Sequence, residues 1–313
     1  MKTMRFLLPL LLSLNLLPGL QPVAHAYDRQ KLMSSFLSTV LVRGYKLDGN
    51  LAYGSGVVVA DNRILTNCHV LRQTRQAWVS QGGQAYNIVS VQADRWHDLC
   101  LATTRYLPVK PIMIGSGNAL KKGQEIVAIG HSNGVSAPIT SLGEIKSLYA
   151  LDGARVIRST ARFAPGASGS GLYDDEGRLI GINTFKTSGR DAYYYAVPIE
   201  WLASLEKQPI EPKLPIAGQA FWEADDAAKP FFMQIAVPEL RENWNRLAEV
   251  ARRWVKAEPE SSEAWYELGL AQENTGLRGE AKNSYQRSVA LDATNTDALL
   301  RIKTLAETQA ILK

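Results

Sequence analysis

The sequence of 313 residues predicts a multidomain chain, with an all-β part followed by an all-α part. Over residues 35–202, short apolar runs rich in Val, Ile and Leu alternate with turns of Gly, Asp and Asn, which is typical of strands joined by hairpins. Towards the C-terminus the apolar residues instead recur at helical spacing. Residues 208–226 between these parts contain Pro209, Pro212 and Pro215 and have no clear periodicity, so we predict a linker there.

The first 26 residues have the three parts of a secretory signal peptide. A basic start is followed by an apolar run over residues 6–20, and Ala24 and Ala26 form the small-x-small pattern that precedes a cleavage site. The apolar run is short for a membrane span. We therefore predict a signal peptide over residues 1–26 and an exported protein, periplasmic or secreted, without membrane contact after cleavage. An uncleaved anchor is the alternative.

Charge and cysteine content exclude some classes of function. The chain has 35 Lys and Arg against 30 Asp and Glu, and it contains no long basic run, so we expect no nucleic-acid partner. The only two cysteines are Cys68 and Cys100. In an oxidising compartment they can form a disulfide, and two buried free thiols are the alternative. Two cysteines without a nearby pair of histidines do not predict a metal site, and we expect no cofactor.

Ser168 lies in a turn dense in glycine and proline, residues 164–172, just before an apolar run. A serine hydroxyl is a poor nucleophile unless a base accepts its proton and nearby amides bind the resulting oxyanion. Glycines in such a turn allow the backbone N–H groups of Gly166 and Ser168 to point towards one place, since glycine tolerates unusual dihedral angles. The turn alone is only suggestive of a catalytic serine.

Two upstream segments supply the other groups that a catalytic serine needs. Residues 66–70, which contain His69, follow a predicted hairpin, and Asp98 begins an apolar run. The order His, Asp, Ser differs from that of α/β-hydrolases, whose Gly-x-Ser-x-Gly elbow is also absent. Asp94 is a weaker alternative for the acid. For the remaining histidines, we predict a structural role for His97 and a surface or loop role for His131.

These segments together resemble those of trypsin-like serine proteases, and more narrowly those of the HtrA (Deg)-type branch. The matching pieces are residues 54–58, 66–70, 98–101, 126–130, 140–143 and 159–184. The resemblance implies a double β-barrel protease domain over residues 27–207, with the active site between the barrels. It also implies that His69 is the general base, Asp98 orients it, Ser168 is the nucleophile, and the amides of Gly166 and Ser168 form the oxyanion hole.

The sequence departs from the trypsin-like pattern at the activation site, where no Ile-Val-Gly-Gly start follows the leader, and the resemblance also suggests how substrate binds. Ala167 stands where zymogen-activated trypsins have an aspartate, so activation by a freed N-terminus is not expected. Either Arg162 or Phe163 shapes the first specificity pocket, because alternation lets only one of them face it. We favour Phe163, since an unpaired buried guanidinium is costly. The strand Thr184, Phe185 and Lys186 is expected to pair with the backbone of the substrate.

Residues 227–313 predict a helical region similar to tetratricopeptide repeats. One repeat is indicated by Trp265, Leu268, Gly269, Gly276, Ala281 and Tyr285. A weaker copy precedes it, and residues 294–311 predict a capping helix. An ordinary helical hairpin packed on the protease domain is the alternative. No PDZ-like segment follows the protease-like region, which departs from the usual HtrA layout.

The sequence therefore predicts an exported serine endopeptidase that cleaves peptide bonds in protein or peptide substrates through an acyl-enzyme. The helical tail is expected to bind a partner protein, and deletion of residues 227–313 is expected to spare peptide cleavage. The alternative function is a catalytically silent, protease-like scaffold or binding protein.

Overall fold

A short helix, α1 (Arg29–Ser38), precedes the first strand of the fold. The structure is a computed structural model, and it describes residues 29–311 except Gln73 and Arg190. The predicted signal peptide over residues 1–26 lies outside the described residues.

The first half of the β-part is an eight-stranded antiparallel sheet with the order β14-β6-β7-β3-β2-β1-β4-β5. Its strands are β1 (Thr39–Lys46), β2 (Leu51–Ala60), β3 (Arg63–Asn67), β4 (Thr74–Gln81), β5 (Gln84–Asn87), β6 (Ser90–Asp94), β7 (Leu99–Thr103) and, from much later in the chain, β14 (Ile210–Glu211). Helix α2 (Cys68–Leu71) follows β3. The β2–β3 hairpin pairs Ala60 with Arg63 across a tight turn, in which Asn62 has a φ of +59° that asparagine tolerates.

The second half is a closed six-stranded barrel with the order β10-β13-β12-β11-β8-β9. Its strands are β8 (Glu125–Gly130), β9 (Ile139–Leu151), β10 (Ala154–Ser159), β11 (Ser170–Tyr173), β12 (Leu179–Lys186) and β13 (Tyr194–Pro198). The long hairpin β9–β10 turns at Asp152 and Gly153, both with positive φ, as a two-residue hairpin turn requires. The barrel ends in a short helix, α3 (Leu202–Leu205).

Within residues 231–311, the structure describes five further helices. They are α4 (Phe231–Leu240), α5 (Trp244–Ala257), α6 (Ser262–Asn274), α7 (Arg278–Leu291) and α8 (Thr296–Ile311). Helix α6 approaches α7 closely at Gly269, where a side-chain carbon would lie 2.7 Å from the ring of the fully buried Tyr285. The predicted fold class, an all-β part followed by an all-α part, is confirmed. Among the described residues, no helix has both the length and the apolar content needed to cross a membrane.

The helical part and the six-stranded barrel share one hydrophobic core. Phe232 of α4 stacks on Tyr149 of β9 with ring centroids 4.8 Å apart, and Trp254 of α5 lies 6.2 Å from the same ring. Phe185 and Tyr195 belong to the same buried cluster. Removing residues 227–313 would therefore expose apolar surface of the barrel, which argues against the expected independence of the two parts.

Residues 208–226 join the two parts but are packed against the first sheet along much of their length. Strand β14, within this stretch, pairs with β6, and Ile216, Ala220 and Phe221 are buried. The backbone N–H of Phe221 donates to the carbonyl of Trp96 over 3.0 Å. Individual residues of this stretch make separate contacts with the rest of the chain, so its apolar residues follow no regular period. The stretch is therefore not an exposed linker.

Candidate active site

His69 and Asp98 lie next to each other because two paired strands end beside them. In the β3–β7 ladder Asn67 is opposite Leu99, so α2 and the residue before β7 meet at one end of the sheet. The N–H at Nδ1 of His69 donates to Oδ2 of Asp98 over 2.6 Å, and the His69 backbone N–H donates to Oδ1 over 2.8 Å. With Nδ1 protonated, Nε2 of the neutral ring is the acceptor, as a general base requires.

Asp98 is fully buried and is fixed through its backbone as well as its carboxylate. Its φ of +57° is in the left-handed region, which aspartate tolerates better than most residues. Its carbonyl accepts from the side-chain amide of Asn67 over 3.0 Å and from the backbone N–H of Cys68 over 3.1 Å. Cys68 and Cys100 form a disulfide, so a covalent bond joins helix α2, which carries His69, to strand β7, which begins directly after Asp98.

The turn around Ser168 consists of two successive tight turns. The N–H of Ala167 donates to the carbonyl of Ala164 over 3.0 Å, and the N–H of Ser170 donates to that of Ala167 over 2.8 Å. Gly166 and Gly169, in the third position of each turn, have φ of +92° and +86°, which other residues rarely adopt. This conformation leaves the backbone N–H groups of Gly166 and Ser168 without an acceptor among the described residues, so both are available to bind an oxyanion.

Gly54 allows the turn around Ser168 to approach helix α2, which carries His69. A side-chain carbon at Gly54 would lie 2.6 Å from Val70, the residue after His69, and 3.2 Å from the carbonyl oxygen of Ser168. The hydroxyl of Ser168 makes no hydrogen bond with His69 or any other described residue. In proteases without bound substrate such catalytic hydrogen bonds are often long and shorten only when substrate binds.

Ser55 braces the serine turn, and sequence analysis missed this role. Its N–H donates to the carbonyl of Ser168 over 2.8 Å, and its hydroxyl donates to the carbonyl of Gly166 over 2.9 Å. The same hydroxyl accepts from the N–H of His131 over 2.9 Å. In the sequence, Ser55 stands between Gly54 and Gly56 just before an apolar run, and this position of a polar residue could have indicated its role.

Comparison with known proteins identifies the family of this region. Residues 54–182 match the family described as trypsin-like peptidase domain, and His69, Asp98 and Ser168 lie within the match. This region is a trypsin-like peptidase domain.

Two relatives match part of the chain, and one of them is named as a serine endoprotease. The chain is 31% identical over 155 residues to a probable periplasmic serine endoprotease DegP-like of Chlamydia pneumoniae, covering 46% of this chain and 32% of that protein. It is 30% identical over 175 residues to the anti-sigma-I factor RsgI9 of Acetivibrio thermocellus, covering 55% of this chain. The chain spans 32% and 24% of the length of these two relatives.

Solved structures support the fold of the peptidase domain. The Rv3671c protease of M. tuberculosis in its active form superposes with a TM-score of 0.55 at 19% identity, covering 68% of this chain and 98% of that one. A serine endoprotease from Yersinia pestis superposes with a TM-score of 0.51 at 25% identity, covering 58% of this chain and 66% of that one. The predicted resemblance to HtrA-type proteases is confirmed for the peptidase domain.

In the peptidase domain, residues 184–186 pair with β13 on one side, whereas on the side of β11 and Ser168 they have no paired strand among the described residues. The β11–β12 ladder ends at Asn183, whose carbonyl accepts from the N–H of Gly169 over 3.0 Å. The side chains of Thr184 and Phe185 are buried, and that of Lys186 is exposed. Only the backbone of this strand is therefore placed to pair with a substrate.

The two residues predicted to shape the first pocket differ in exposure. Arg162 is exposed, whereas Phe163 is partly buried and lies edge-on to the ring of Tyr194 at 5.1 Å. This difference in exposure agrees with the expectation that neighbours in an extended segment face opposite sides.

The other two histidines of the peptidase domain lie outside the pair formed by His69 and Asp98. His97 hydrogen-bonds Asp94 at 2.7 Å and Asp152 at 2.9 Å, and its ring stacks on Trp201 at 3.7 Å. Burial lowers the pKa of His97, but the hydrogen bonds to Asp94 and Asp152 outweigh burial and raise it overall.

His131 lies in a loop, as predicted, but it is buried and not at the surface. Its Nδ1 lies 2.9 Å from the carbonyl of Val135, and burial is the main reason that its pKa is lowered. The ring is therefore kept neutral behind the serine turn. In the part of the chain that the structure describes, no group of three or more His, Cys, Asp or Glu side chains could hold a metal ion.

Proposed function

We propose that this chain is an exported serine endopeptidase that uses His69, Asp98 and Ser168. The hydrogen bond between His69 and the buried carboxylate of Asp98 is the main support, because it fixes the tautomer that a general base needs. The unpaired amides of Gly166 and Ser168 supply the second requirement, a site for the oxyanion.

In the proposed mechanism Ser168 Oγ attacks the carbonyl carbon of the peptide bond while Nε2 of His69 accepts the hydroxyl proton. The carbonyl oxygen becomes an oxyanion and accepts hydrogen bonds from the N–H groups of Gly166 and Ser168. The tetrahedral intermediate collapses as His69 gives the proton to the leaving amine, which leaves an acyl-enzyme. Water, deprotonated by His69, then attacks the ester, and Ser168 regains its proton from the imidazolium.

Substrate is proposed to bind as an extended strand along the free edge of residues 184–186, where backbone hydrogen bonds provide affinity independent of sequence. Phe163, with Tyr194 behind it, is proposed to close the first specificity pocket and to favour small or medium apolar side chains. Export is supported by the signal-like leader over residues 1–26 and by the periplasmic DegP-like relatives. The helical tail over residues 227–313 is proposed to bind a partner protein.

A silent scaffold is the second candidate function. It is favoured by the missing hydrogen bond between Ser168 and His69, and by the relative that is named as an anti-sigma factor. In this alternative the domain keeps the protease fold but does not activate its serine.

A fluorophosphonate probe, which reacts with activated serines, distinguishes the two candidates. We expect wild-type protein to be labelled, Ser168→Ala to be unlabelled, and Ser34→Ala, an exposed serine on α1, to remain labelled. Labelling should be accompanied by cleavage of a peptide library. Absence of labelling in folded wild-type protein would favour the scaffold.

Replacing Phe163 by alanine is expected to widen the first pocket. The ratio of kcat/KM for peptides with a large over a small apolar residue before the cleaved bond should rise about 10-fold, the low end of what one methylene group contributes in such a pocket. Arg162→Ala is the matched control, because its exposed side chain points elsewhere. If Arg162→Ala changed the preference and Phe163→Ala did not, the assignment of the pocket would be reversed.

A further inference from the structure

Trp222, in the stretch that joins the two parts of the chain, lies against the paired side chains of His69 and Asp98. Its indole N–H donates to Oδ2 of Asp98 over 3.2 Å, the same oxygen that accepts from Nδ1 of His69. Its ring lies edge-on to the His69 ring at 5.5 Å and nearly parallel to the Phe185 ring at 5.6 Å. Trp222 is 124 positions from Asp98 in the sequence and lies outside the strands of both the eight-stranded sheet and the barrel.

The carboxylate of Asp98 needs these contacts because it is fully buried. A buried charge without hydrogen-bond donors is strongly destabilised. Among the described residues, the hydrogen bonds to this carboxylate come from the backbone and ring of His69 and from Trp222. Trp222 is therefore the only donor among them that does not belong to His69.

We propose that Trp222 is a positioning residue for the His69–Asp98 pair. This inference rests on the proposed peptidase function. The indole N–H fixes Oδ2 of Asp98 in the plane that meets Nδ1 of His69, and it withdraws part of the negative charge that the imidazolium would otherwise face. The ring covers one side of the imidazole, so that His69 keeps a single orientation.

The neighbours of Trp222 hold it in place from both parts of the chain. Glu223 forms an ion pair with Arg72, which follows α2, and Oε2 of Glu223 accepts from the backbone N–H of Ala220 over 3.0 Å. On the other side Phe221 is fully buried, 6.2 Å from the ring of Phe232 of α4. The helical tail thus supports the wall of the active site that Trp222 forms.

Two charged side chains near the His69–Asp98 pair, those of Arg72 and Glu223, also bear on the effect of changing Trp222. Nη2 of Arg72 lies 3.8 Å from Oδ1 of Asp98, and Glu223 pairs with the same guanidinium. Both would be unchanged in a Trp222→Phe variant. Phenylalanine keeps an aromatic ring against Phe185 and removes the N–H together with the rest of the five-membered ring, so we expect this variant to fold.

In Trp222→Phe we expect kcat to fall about 10-fold with little change in KM, the scale of one hydrogen bond to a charged group. A general loosening of the fold would instead change kcat and KM together and would lower the temperature of thermal unfolding.

Trp265→Phe is the matched control, because it also removes an indole N–H, one that donates to the carbonyl of Pro259 in the tail. We expect it to match wild type in both measurements. A folded Trp222→Phe with wild-type kcat would overturn the inference. Absence of labelling and cleavage in wild type would instead overturn the proposed function. In that case the NMR signal of the Nδ1 proton of His69, compared between wild type and Trp222→Phe, still tests whether Trp222 acts on the pair.

Discussion

Replacing Asp98 by asparagine is expected to lower kcat about 10,000-fold while leaving the fold intact. Asparagine tolerates the left-handed backbone that Asp98 adopts, at a φ of +57°, as well as aspartate does. If its amide nitrogen occupied the position of Oδ2, this NH₂ group would face the N–H groups of His69 and Trp222, and donors cannot hydrogen-bond each other. His69 would then move its proton to Nε2, and that nitrogen could no longer accept the proton of Ser168.

Asp94→Asn is the matched control for this experiment. Asp94 also hydrogen-bonds a histidine, since its Oδ2 lies 2.7 Å from Nδ1 of His97, but the other ring nitrogen of His97 is hydrogen-bonded to Asp152 and is not free to accept the proton of a serine. We expect kcat of Asp94→Asn to stay close to that of wild type, with thermal unfolding showing that both variants fold. If Asp94→Asn lost the activity and Asp98→Asn kept it, the orienting acid would be Asp94, the weaker alternative from the sequence.

The segments that form the candidate site could be found from sequence because each is a short local pattern. Ser168 is flanked by glycines that its turn needs, and His69 and Asp98 adjoin apolar strands whose pairing follows from the hairpin order. The sequence leaves the choice between a disulfide and two free thiols undecided, because two cysteines in an oxidising compartment do not fix the distance between their sulfurs. Pairing of Thr66 with Cys100 in the β3–β7 ladder brings the two sulfurs together.

What the sequence did not predict depends on contacts between distant segments. Trp222 lies in a stretch without periodicity, and nothing local indicates that its indole reaches a carboxylate 124 positions earlier. Likewise, the proline content of residues 208–226 indicated a linker, whereas burial of Phe221 comes from neighbours in both parts of the chain. The helical periodicity of the tail predicted its helices but not the surface on which they pack.

The packing of the helical tail on the six-stranded barrel leads to a second prediction, which concerns the free energy of unfolding. Arg158 of β10 pairs with Glu239 of α4 through two contacts, 3.1 Å and 3.4 Å long, and both side chains are about 15% exposed. The guanidinium also lies over the ring of Tyr193, 3.4 Å from its centroid. Removing one partner of a buried pair leaves the other charge uncompensated, at a cost of about 3–5 kcal/mol.

Glu239→Gln is therefore expected to lower the free energy of unfolding by about 3 kcal/mol, the lower end of this range, because Glu267 can replace part of the lost charge. The carboxyl of Glu267 is fully buried, and its pKa is raised first by burial and then by the charge of Glu239. Without Glu239 that repulsion disappears, so Glu267 ionises more readily beside Arg158. The double variant with Glu267→Gln removes this substitute charge and should lose more stability than the single variant.

The matched control is Glu249→Gln on α5, which breaks an exposed ion pair with Arg246 that has two contacts of 2.6 Å. Exposed pairs contribute about 0–1 kcal/mol, so denaturant unfolding of this variant should nearly coincide with that of wild type. A loss in Glu239→Gln no larger than in Glu249→Gln would mean that the buried pair does not hold the tail on the barrel. A larger loss within a single unfolding transition is expected instead, because the tail and the barrel share one core and unfold together.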